Sequence, residues 1–121
     1  MACLEWAYVA FLVATAIPAE QATVVLVVGA EGTPEYGAQF ASWAERWEAA
    51  AAAGGARLER VGPGAPAGLD VQDKDRLRLL LGALEPAGNA PLWIVLLGHG
   101  TFDDTSAKFN LRGPEIGRAH V

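Results

Sequence analysis

At 121 residues the chain is limited to one domain or part of one, and its 52% hydrophobic and 19% charged content excludes an intrinsically disordered polymer. The formal charge of -5, with scattered basic residues that form no stripe, excludes nucleic acid and anionic membrane surfaces as expected partners.

Residues 6–17 form an apolar run too short to span a bilayer comfortably, and Pro18-Ala19-Glu20-Gln21-Ala22 follows with small residues where a signal peptidase cuts. We read residues 1–19 as an export signal. The mature protein is then expected to be periplasmic or extracellular, with no stable membrane insertion. Glu5, with no Lys or Arg before the run, leaves a buried N-terminal helix as the alternative. Cleavage would remove Cys3, the only cysteine, so no disulfide within the chain and no thiol nucleophile would remain.

Thr23-Val-Val-Leu-Val-Val28 is β-branched and apolar throughout and stops at Gly29-Ala-Glu-Gly32, which reads as a buried strand and a turn. The period then changes. Thr33 can cap a helix and Pro34 suits its first position, while Tyr36, Phe40, Trp43 and Trp47 recur at helical spacing up to the break at Gly54-Gly55. That stripe is expected to be core packed on a sheet, with Phe40, Trp43 and Trp47 mostly buried. Residues 56–61 alternate like a short second strand, and the Gly/Pro-rich stretch after them reads as a surface loop. Asp70 or Asp73 can cap a second helix whose Leu77, Leu80, Leu81 and Leu84 share one face. Pro86 breaks it and feeds Leu92-Trp-Ile-Val-Leu-Leu97, six apolar residues bounded by Pro91 and Gly98 that read as a buried, parallel strand.

The order strand, helix, strand, helix, strand predicts an α/β fold with right-handed crossovers and a mainly parallel sheet, without a repeat or a second domain. At the far end, residues 115–121 follow an abrupt loss of pattern, and back-translation matches the start of a common sequencing adapter. We read this heptapeptide as a non-native tail, which leaves residues 20–114 as the domain and gives His120 no role.

No cofactor and no metal is expected. Gly29-Ala-Glu-Gly32 lies where a phosphate loop would, but it lacks both the G-x-G-x-x-G pattern and a P-loop lysine. Asp103 and Asp104 are adjacent carboxylates in a polar turn, without spaced partners for a ligand set. His99 is the residue on which chemistry would centre. It leaves a buried strand between Gly98 and Gly100, where an imidazole can serve as general acid or base and the Gly100 amide can face a developing oxyanion. Spacing alone leaves catalysis and a structural turn both open.

Leu92-Trp-Ile-Val-Leu-Leu-Gly-His-Gly100, preceded by two strand-helix units and followed by Ala107-Lys-Phe-Asn-Leu-Arg112, resembles the histidine block of caspase- and legumain-like cysteine peptidases. The first block, Val28 to Gln39, is similar to the legumain-type turn after the first strand. The resemblance covers roughly residues 23–114 and implies a three-layer caspase-like fold, C-terminally truncated here, with a short hairpin after His-Gly. It further implies that His99 is the catalytic histidine, that Gly100 is the oxyanion-hole amide, and that the nucleophilic cysteine follows on a strand beyond this chain. Gly37 or Ala38 stands where these families place a substrate-reading arginine, so a preference for acidic or asparaginyl residues is not implied.

The expected function is therefore that of a fragment of an exported cysteine peptidase, inactive alone, whose partner is a peptide or protein substrate. A caspase-like interaction module that lost its nucleophile is the alternative. An α/β-hydrolase using His-Gly as its oxyanion turn ranks below both.

Overall fold

The computed structural model describes residues 20–67, 71–84 and 88–113. The expected export signal at residues 1–19, the cap candidate Asp70 and the expected non-native tail at residues 115–121 lie outside them. The elements run β1 (Thr23–Val28), α1 (Pro34–Ala53), β2 (Arg57–Val61), α2 (Asp73–Ala83), β3 (Leu92–Leu97), β4 (Gly100–Asp103) and β5 (Ser106–Phe109). The first three strands make one sheet in the order β2-β1-β3, and both pairings are parallel. β4 and β5 form a separate antiparallel hairpin. The chain is thus an α/β unit with a small, mainly parallel sheet, as its alternating pattern requires.

β1 is the centre because it is apolar on both faces, and Val24 to Val28 are at most 5% exposed. Leu26 and Val28 pack on one side with Phe40 and Ala44 of α1. Val25 and Val27 pack on the other with Val61, Leu77, Leu80 and Leu84. The chain steps from β1 to β2 in one direction and from β2 across β1 to β3 in the other, so crossovers of one hand must place α1 and α2 on opposite faces. They do. Among the described residues no helix is long and apolar enough to cross a membrane.

α1 begins with Thr33 at its N-cap in an extended conformation and Pro34 in its first turn. It ends in a Schellman motif, with the Gly55 amide on Ala52 O and the Ala56 amide on Ala51 O, and Gly55 at a φ of 67°. α2 departs from expectation at its start. Its N-cap is Gln72, and Asp73 is the first helical residue, buried and held by the Arg112 guanidinium through two hydrogen bonds of 3.1 Å. A residue past the hairpin is thereby tied to α2, on the sheet face where Phe109 and Leu111 also pack.

Two core expectations are corrected. Of the aromatic stripe only Phe40 is buried, while Trp43 and Trp47 remain 38% and 37% exposed. The buried residues of α1 are Phe40, Ala44 and Ala51. At about 100° per residue Trp43 lies about 80° round from their mean direction and Trp47 about 40°, so both rings overhang the flank of a sheet only three strands wide. Likewise β3 has the predicted span and direction but is not buried: Leu92, Trp93, Ile94 and Leu96 are about half exposed, between 48% and 56%. It is an edge strand with β1 on one side only, so among the described residues nothing covers its outer rim. On α2, Leu81 turns outward while Leu77, Leu80 and Leu84 pack inward.

Candidate functional site

A sheet ordered β2-β1-β3 reverses its direction of growth between β1 and β3. Loops leaving the carboxyl ends of those two strands diverge to opposite faces and leave a crevice between them. The residues there are Gly29 to Gly32 after β1 and Gly98 to Gly100 after β3, which places His99 at the switch point of the sheet.

The half-buried ring of His99 is fixed from three directions. Its Nε2 lies 3.0 Å from the main-chain oxygen of Glu31. A carbonyl oxygen only accepts, so Nε2 carries the hydrogen, and in the neutral ring Nδ1 is left as the acceptor. Tyr36, in the first turn of α1, meets the ring edge-on at 4.6 Å between centroids, and Phe40 meets it at 5.3 Å. The approach of Glu31 depends on Gly32, whose φ of 71° turns the chain; a Cβ there would sit 3.4 Å from Nε2.

The two glycines flanking His99 have different surroundings. A side chain on Gly98 would meet the Phe109 ring at 2.8 Å and the Gly29 backbone at 3.2 Å, so Gly98 admits the close packing of β1, β3 and β5. Gly100 opens the hairpin opposite Phe109. The Asn110 amide donates to His99 O at 3.0 Å, which makes His99 and Asn110 a hydrogen-bonded position. Antiparallel positions alternate, so Gly100 falls in the non-bonded place and its amide points out of the ladder. Asn110 joins the site's parts: its own carbonyl accepts the Ala30 amide at 2.9 Å, and its side chain accepts the Thr101 hydroxyl.

Asp103 lies at the other end of the hairpin, where its carboxylate accepts from the amides and hydroxyls of Thr105 and Ser106. The side-chain bond from Thr105, followed by the others, lowers it to about 2. These bonds make it a turn-closing group. Among the described residues no three His, Cys, Asp or Glu side chains come together as metal ligands.

His99 and Gly100 are thus adjacent at the crevice with distinct capacities, an imidazole whose Nδ1 has no hydrogen-bond partner among the described residues and an amide that points out of the ladder. Sequence reasoning did not single out the Glu31 carbonyl, Tyr36 as a neighbour of the ring, or Asn110. A main-chain acceptor has no residue type to signal it, the Tyr36 ring meets His99 only through tertiary packing, and Asn110 meets it through a main-chain amide. No family model, curated protein or solved structure matches this chain.

Proposed function

We propose that the chain is the N-terminal part of an exported cysteine peptidase domain of caspase- and legumain-like type, with the nucleophilic cysteine supplied by sequence beyond residue 114. The observation that carries this reading is the state of His99. Glu31 O takes the Nε2 hydrogen at 3.0 Å, so the opposite nitrogen is available to a thiol while the ring is held against rotation. In the proposed reaction Nδ1 takes the thiol proton and the thiolate attacks the scissile carbonyl. The Gly100 amide supports the oxyanion, and the imidazolium returns its proton to the departing amine; water then releases the acyl group with His99 as base. The all-parallel pairing of β1, β2 and β3 weighs against the hydrolase alternative, whose early strands pair antiparallel.

The test is expression of the longer reading frame past residue 114. A Cys at the end of the next apolar strand, together with loss of peptide hydrolysis in His99→Ala with the fold retained, is the expected result; general base and acid work of this kind is typically worth roughly 10² to 10⁴ in rate. Ser, Thr or Ala at that place favours the interaction module. Full activity of the His99 variant against a broad peptide library ends the peptidase reading.

A further inference from the structure

Beside His99, on the α1 side of the carboxyl edge, lies a cleft of about 150 Å³ lined by Val28, Phe40, Ala41 and Pro63 together with two charged residues, Glu31 and Arg60. Two glycines make room for those charges. A Cβ on Gly37 would collide with the Glu31 carboxylate, and one on Gly64, whose φ is 80°, would collide with the Arg60 guanidinium.

The two charges differ in how they are satisfied. Arg60 is only 13% exposed at its side chain, and each of its three guanidinium nitrogens is bonded: Nη1 donates to the Glu48 carboxylate, and Nε and Nη2 donate to Pro63 O at 3.1 and 2.8 Å. Glu31 is exposed, and none of the ion pairs or side-chain hydrogen bonds among the described residues uses its carboxylate. The uncompensated charge of the cleft is therefore negative, above apolar walls. Such a shape matches a ligand with an aliphatic stem and a cationic tip, since the stem stays dry while the tip remains at the mouth.

We propose that this cleft binds the side chain of a lysine or arginine residue of a peptide, with the stem against Phe40, Ala41 and Pro63 and the charged end on Glu31. Its identity as a substrate pocket rests on the peptidase reading above: Glu31 holds His99 through its main chain and faces the cleft through its side chain, which sets the bound side chain next to the reacting bond. The binding itself rests on the cleft alone.

Titration of the ¹⁵N-labelled chain with four probes, the N-acetyl amides of arginine, lysine, norleucine and aspartate, tests it by NMR. Arginine and lysine amides are expected to move the Glu31, Phe40 and Ala41 resonances saturably and to bind about tenfold more tightly than norleucine amide. Glu31→Gln is expected to remove that preference with the rest of the spectrum unchanged. Equal binding of norleucine amide, preference for aspartate amide, a preference that survives Glu31→Gln, or no saturable shift with any probe overturns the proposal. Because the readout is binding to this chain, absence of peptidase activity in the longer protein bears on His99 and leaves the cleft's test untouched.

Discussion

Asp103 and Asp73 are both carboxylates with several hydrogen bonds, yet they stabilise the chain in different ways. Asp103 is exposed and its hydrogen bonds stay within one turn, so their effect appears in its protonation. Its folded value, about 2, lies below the ordinary 3.8. The stabilisation it provides is therefore complete above the unfolded value and is lost as the pH falls through about 2. A carboxyl-carbon NMR titration is expected to give a midpoint near 2, with the Thr105 and Ser106 amides moving together; a midpoint at the ordinary value would mean that the turn's bonds are absent in solution. Asp73 is only 6% exposed at its side chain while Arg112 is 57% exposed, so removing either partner is not equivalent. Arg112→Ala strands a buried carboxylate and is expected to cost about 1 to 3 kcal/mol in urea unfolding. The further change Asp73→Asn is expected to recover part of that loss, because the buried charge is then gone.

At the level of elements, α1 shows how helical spacing narrows a core without settling it. Phe40 is 3% exposed between Leu26, Val28 and the His99 ring, whereas Trp43 is 38% exposed. Phe40→Ala is expected to cost roughly 3 to 5 kcal/mol, and Trp43→Ala about 1 kcal/mol, as at a partly solvated site. Equal losses in denaturant melts would mean that α1 is rotated on its axis. The hairpin of β4 and β5 docks through a ring into a glycine pair, Phe109 against Gly29 and Gly98. Gly98→Ala is expected to cost about 1 to 3 kcal/mol by overpacking. It is also expected to displace the His99 ring signals, since Gly98 is its immediate neighbour; an unchanged imidazole spectrum would separate the hairpin's packing from the site.

The whole molecule is asymmetric across its sheet. β2 sits at one edge with Val61 buried, whereas β3 at the other carries four large apolar side chains about half exposed. Thr23 N donates to Pro91 O and Gly29 N to Leu97 O. The main-chain groups of the odd-numbered β3 residues therefore face β1, and those of Leu92, Ile94 and Leu96 face outward. Such an edge is a template for another strand. The isolated chain is expected to self-associate in sedimentation velocity as concentration rises, and Ile94→Lys is expected to shift it toward monomer without loss of the β1 to β3 pairing. A wild-type chain that stays monomeric at high concentration would mean that the edge is covered in solution.

The amino-acid sequence by itself determined the order of the first five elements, the bounds of β1 and β3, both ends of α1 and the parallel character of the sheet. Each of these follows from local signals, namely β-branched runs, helical spacing and the glycines and prolines that stop them. The place of His99 at the carboxyl edge of the sheet was also legible, because an apolar strand ending in Gly-His-Gly marks where a parallel sheet delivers its side chains. Tertiary structure alone decided which of these segments lie at an edge. Apolarity encodes a tendency to be covered, but coverage depends on neighbours, and so β3, Trp43 and Trp47 are apolar and yet exposed. It alone decided the protonated nitrogen of His99 as well, because the acceptor is the backbone of Glu31, 68 residues earlier, and a peptide oxygen leaves no mark in a sequence.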